Sequence, residues 1–85
     1  MDERPSLSQV AAENIRAKRA RLRIPQREAA ARAGLVTSVW SVIESGSRRL
    51  TLDDAWRVCE ALSMTMAELL EGAPYEAVRA FGMQS

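Results

Sequence analysis

The sequence predicts an all-α fold, and three observations carry that prediction. Glycine and proline are scarce, four and three in 85 residues. Runs of β-branched residues are short, which disfavours strands. Three segments, Ser6-Leu-Ser-Gln9, Thr51-Leu-Asp-Asp54 and Thr65-Met-Ala-Glu68, place a hydroxyl three residues before an amide or carboxylate, the pattern that caps a helix start.

The elements follow in order. The first box starts a helix that runs to about Leu22, with Val10, Ile15 and Leu22 toward the core and the arginines toward water. Pro25 is tolerated in a first helical turn, so a second helix begins near Gln26 and ends before Gly34. A third spans about Thr37–Ser45 and stops at Gly46. Thr51 opens a fourth over Leu52–Leu62, whose inward face is Leu52, Ala55, Cys59 and Leu62. Thr65 opens a short fifth helix ending near Glu71, and Gly72-Ala-Pro74 then breaks the chain. Tyr75–Phe81 can form a sixth turn or short helix. The expected division is a flexible start over 1–6, a helical domain over 7–72 and a tail over 73–85.

Eighty-five residues suit one small domain. Apolar residues make up 47%, but many are alanines, so the core must be thin and closely packed. One cysteine and no histidine exclude an internal disulfide framework and an ordinary zinc site, and they fit a reducing compartment. With no histidine and one lysine there is little to activate a serine or threonine, so catalysis is not expected. No apolar run approaches the ~18 residues a membrane helix needs, and no signal peptide is visible, so the expected location is the cytoplasm.

The net charge of +1 hides a sharp asymmetry. Residues 1–15 carry −2, residues 16–49 carry nine basic groups against Glu28 and Glu44 for +7, and residues 50–85 carry −4. Base composition explains arginine in place of lysine but not the clustering, which points to a polyanion partner.

Within that basic segment, Gln26–Ser45 meets four spacing constraints in one register. Counting from Gln26, the small Ala30 is fifth, Gly34 is ninth, and Trp40 and Ile43 are fifteenth and eighteenth. A small fifth residue lets two steeply crossing helices approach, and the glycine can take positive φ in the turn between them. The last two side chains, three apart, point back into the core. This is the pattern of a helix-turn-helix.

Residues 15–71 resemble the Cro and lambda-repressor type of helix-turn-helix regulator, the XRE family. The resemblance is carried by Ile15-Arg16…Arg19, Gln26, Ala30, Ala33-Gly34, Ile43-Glu44-Ser45-Gly46, Arg48, Thr51-Leu52 and Ala61-Leu62…Glu68-Leu69. It implies a five-helix lambda-repressor-like DNA-binding domain, with helix three in the major groove of double-stranded DNA. It further implies a homodimeric repressor on a palindromic operator, two recognition helices about 34 Å apart, and no cofactor. By the same resemblance Gln26 contacts a phosphate, with Arg27 beside it, and Arg48 and Arg49 anchor the phosphates after the recognition helix. The base-facing set is Val36, Thr37, Ser38, Val39, Ser41 and Val42, and Arg19 and Glu44 match a structural ion pair joining helices one and three.

Two departures from the family matter. Val36 stands where a Ser or Thr usually caps the recognition helix. The base-facing set also lacks Arg, Lys, Asn and Gln, the side chains that discriminate bases by ~1–3 kcal/mol each, so readout falls to hydroxyls and to valine contacts with thymine methyls. Affinity must then come from arginines on phosphates. In addition Ala29 occupies a position usually large, while Trp40 is bulky, a volume exchange within the core.

The remaining features have plain structural readings. Cys59 reads as a small buried hydrophobe and Trp56 as core or interface. Asp53-Asp54 and Glu68…Glu71 read as helix-start charges and solvated faces. Related proteins pair through the fifth helix, which places dimerisation on Met64, Met66, Leu69, Tyr75, Val78 and Phe81. The alternative function is an antitoxin or adaptor that uses its apolar helix three to hold a protein, a toxin or a co-regulator.

Overall fold

The structure, a computed structural model, describes residues 5–83. All the secondary structure among them is helical: α1 (Leu7–Leu22), α2 (Gln26–Ala33), α3 (Thr37–Ser45), α4 (Leu52–Leu62), α5 (Met66–Leu69) and α6 (Tyr75–Ala80). The all-α class and the six expected segments therefore hold. Most of the start expected to be flexible lies outside the described residues, but Ser6 does not, and it is the ordered N-cap of α1.

All three capping boxes close reciprocally. Ser6 Oγ accepts the Gln9 N–H at 3.1 Å while the Gln9 side chain accepts the Ser6 N–H at 2.8 Å, and the Thr51/Asp54 and Thr65/Glu68 pairs repeat the arrangement. Such caps stabilise a helix by ~1 kcal/mol each. Two helix ends depend on glycine. Gly34 ends α2 at φ 71° and Gly46 ends α3 at φ 78°, and a Cβ on Gly46 would lie 3.4 Å from Gln9 Cγ of α1. The left-handed turn is what favours glycine here, since a Cβ would meet α1 only at ordinary contact distance.

α1 lies against α3, α4 and α5, while α2 packs on α3 and α4. The core is filled by Trp40, Ile15, Ile43, Leu62, Leu69 and Val58, all essentially inaccessible, set among Ala11, Ala29, Ala30 and Ala33. The alanines of α2 and the bulky Trp40 of α3 are buried in the same cluster, where α2 packs on α3. Burying each large side chain contributes ~1.5–3 kcal/mol. Asn14 draws α5 onto α1, donating to the carbonyls of Leu69 and Glu71 at 2.8 and 2.9 Å.

Several expected positions move. Leu22 is exposed because it is the last residue of α1, beyond the packed stretch. The inward face of α4 is Asp54, Ala55, Val58, Ala61 and Leu62, which rotates Leu52 to 81% exposure and leaves Cys59 half-buried at the edge. Trp56 lies outside the core altogether. Met64 and Leu69, expected on a dimer surface, are buried in the monomer. The left-handed Ser63 turns Met64 inward, with its N–H on the Cys59 carbonyl at 2.8 Å, and Leu69 is on the side of α5 that α1 covers.

Candidate nucleic-acid interface

The turn between α2 and α3 is three residues, Gly34 to Val36, closed by the Leu35 N–H on the Ala30 carbonyl at 2.9 Å. It delivers α3 with Trp40, Ile43 and Glu44 inward and Val36, Thr37, Ser38, Ser41 and Val42 in solvent. Val39 departs from this outward set. It is half-buried against the core, because it shares the helix side of Ile43. Val36 is the N-cap of α3 and provides no side-chain hydrogen bond, so the first-turn amides of the helix lack a side-chain partner.

The far half of α3 is fixed by one carboxylate. Glu44 is 3% exposed, and its oxygens accept hydrogen bonds from Arg19 Nε, from Arg19 Nη2 at 3.0 Å, from Gln26 Nε2 at 3.1 Å and from Trp40 Nε1. Arg16 donates to the Glu44 carbonyl, and Arg19 also donates to the Ile24 carbonyl at 3.0 Å. One acid thus ties α1, the start of α2 and α3 together. Burial alone pushes the Glu44 carboxyl up, but hydrogen bonds from Arg19, Gln26 and Trp40, with the charge of Arg19, outweigh burial and hold it below the usual range. The hydrogen bond to Glu44 raises Arg19 in turn, against its own partial burial. No buried side-chain polar atom among the described residues is left without a partner.

The loop after α3 is strapped at two points. Leu50 N–H donates to Ser8 Oγ of α1 at 3.0 Å, and Arg48 donates from Nε and its Nη2 to the two Asp54 oxygens at 3.1 and 3.2 Å. Asp54 is buried rather than solvated. Burial raises its pKa, but bonding from Arg48 and from Thr51 overrides this and leaves it lowered.

These contacts divide the phosphate-facing set. Arg27 and Arg49 are exposed and form no ion pair among the described residues. Arg27 follows Gln26, whose amide touches Glu44 near the end of α3, and Arg49 comes four residues after that end, so both belong to chain that lies close to the C-terminal end of α3. Arg48 is half-buried and engaged with Asp54, and Gln26 is half-buried with one amide hydrogen on Glu44 and one remaining. Of the remaining dimer set, Met66, Tyr75 and Phe81 are exposed and Val78 is half-buried.

Sequence reasoning found Arg19 and Glu44 but not the depth of the site. Trp40 is more than a core side chain: its buried indole needs an acceptor, and Glu44 stands four residues on along the same side. Nothing in the sequence singled out Asn14 or Ser8. Cys59 is raised by burial first and by Glu68 second, so it stays a thiol.

No protein-family model matches the chain, and no curated protein matches it. Among solved structures it is similar to the clp gene regulator ClgR from C. glutamicum, at 25% identity and a TM-score of 0.74, over 95% of this chain and 100% of that one. The two share one helical fold. That neighbour is a gene regulator. No helix among the described residues is long and apolar enough to cross a membrane.

Proposed function

We propose that this chain is a DNA-binding transcriptional regulator, a homodimeric repressor that reads a palindromic operator through α3. The observation that carries the reading is the division of α3: one side locked by Glu44, the other open in solvent, with the exposed Arg27 and Arg49 in the segments next to its C-terminal end. The likeness to a gene regulator supports it. In this reading residues 7–72 are the DNA-binding unit. Arginines on phosphates supply the affinity, while Thr37, Ser38 and Ser41 hydroxyls with Val36 and Val42 give modest base preference.

The test is binding to duplexes selected from genomic fragments, followed by fluorescence anisotropy across a salt series. Binding should weaken steeply with salt, and a double variant, Arg27→Ala with Arg49→Ala, should flatten the logarithmic slope by about two per protomer. A double variant with the original slope would remove these arginines from the interface. One observation favours a second reading: Val36 is 64% exposed and Val42 is also open, which suits a protein-holding adaptor or antitoxin. Absence of any duplex binding at low salt would select that reading.

A further inference from the structure

Away from α3, one side of the molecule is apolar and uncovered. Leu52 and Trp56, 81% and 63% exposed, follow one another by a turn on α4. Cys59 continues the stripe, with its sulfur 4.0 Å from that of Met66. Phe81, 53% exposed, belongs to the same side. It lines a cavity of about 160 Å³ together with Leu52, Met66, Leu7, Leu50 and Leu70. Trp56 stands beside this recess without lining it.

We propose that a second copy of this chain docks here about a two-fold axis, with Trp56 of each copy seated in the cavity of the other. The inference rests on the homodimer reading above and locates its interface. A two-fold contact uses the same patch on both subunits, so a projection and a matching recess must lie side by side on one face. Trp56 and the Leu52–Phe81 recess meet that requirement. At about 160 Å³ the recess is close to the ~150 Å³ that accepts a benzene ring, which is room for the six-membered ring of the indole with the rest of the side chain at the mouth.

The area matches as well. If each large apolar side chain presents roughly 150–250 Å², the range for aromatics, then Leu52, Trp56, Met66 and Phe81 at their exposures leave roughly 350–580 Å². A homodimer of standard size buries roughly 800 Å² per partner at ~65% apolar, which is close to 520 Å². Asp53, Arg57 and Glu60, exposed along the flank of α4, provide a polar rim of both signs. Since α3 packs on α1 and α2, a copy bound against α4 leaves the outward side of α3 open.

Sedimentation of the full chain without DNA tests the proposal separately from DNA binding. The wild type should dimerise in the micromolar range. Trp56→Glu should weaken the dimer by roughly a hundredfold or more, because both copies lose their anchor. Leu52→Asp should weaken it at least tenfold, and thermal melts of both variants should show intact folding, since both side chains are exposed. Tyr75→Glu, an exposed aromatic outside this face, should leave the dimer intact. A wild type monomeric throughout the micromolar range overturns the proposal, as does a Trp56→Glu dimer of wild-type strength or dissociation by Tyr75→Glu. A dimer that obeys these expectations yet binds no duplex DNA would refute the regulator reading and leave this interface standing.

Discussion

Replacing Glu44 by alanine removes a single carboxylate and strands four donors. Trp40 Nε1 would remain buried without a partner, which costs ~1–3 kcal/mol. Arg19 would lose both of its bonds to Glu44, and breaking a buried ion pair from one side costs ~3–5 kcal/mol. The Arg19 side chain is 23% exposed and keeps the Ile24 carbonyl at 3.0 Å, so water and that bond recover part of the loss. The expected total is about 3 kcal/mol. For a domain of this size each kcal/mol shifts the midpoint by roughly 4–8 °C, so Tm should fall by about 12–24 °C. Thermal and urea unfolding followed by circular dichroism at neutral pH would measure it. Glu44→Gln keeps the volume but turns an N–H₂ toward other donors, and should lie between wild type and alanine. A double-mutant cycle with Arg19→Met should give a coupling of at least about 1 kcal/mol. An alanine variant within ~1 kcal/mol of wild type would refute the idea that this carboxylate holds α3 in place.

The same network sets the acid limit. Glu44 and Asp54 are both held below their ordinary values of about 4.3 and 3.9, so their stabilisation is complete above those values and is lost as pH falls through the lower folded ones. The urea midpoint should be level from about pH 7 to pH 5 and fall below about pH 4, less steeply in Glu44→Gln; equal slopes would count against Glu44 as a source. In the core, Ala29 and Trp40 are both fully buried in one cluster, so Ala29→Leu should overpack it by ~1–3 kcal/mol. A melt unchanged by that substitution would show that the two do not share a tight contact.

Helix ends were the most legible part of the fold. They are local: Ser6 with Gln9, Thr51 with Asp54, Gly34 and Gly46 each act within a turn, and the sequence displays the whole device. Helix rotation was less legible. Leu52 and Cys59 fit an apolar stripe on α4 as well as Ala55 and Val58 do, and only packing against α2 and α1 decides that Asp54 goes inward with Arg48 while Leu52 stays out. In the candidate site the ion pair Arg19–Glu44 came from a resemblance, whereas its extension to Gln26 and Trp40 depends on three helices converging. Long-range clamps such as Asn14 on Leu69 join residues 55 apart in sequence and leave no periodic trace.

The uncapped start of α3 has a dynamic consequence. Nine residues of helix are held at one end by Trp40, Ile43 and Glu44, while Thr37 and Ser38 sit in water with no side chain closing their turn. Local opening free energy should therefore rise from the first turn of the helix toward Trp40 and Glu44, although the Val36 carbonyl still accepts the Val39 and Trp40 N–H groups at 3.1 Å. The helix is thus indexed to the domain at both ends, by the Leu35–Ala30 turn and by Glu44, and adjustment to a surface falls to the exposed side chains of Thr37 and Ser38 rather than to the backbone.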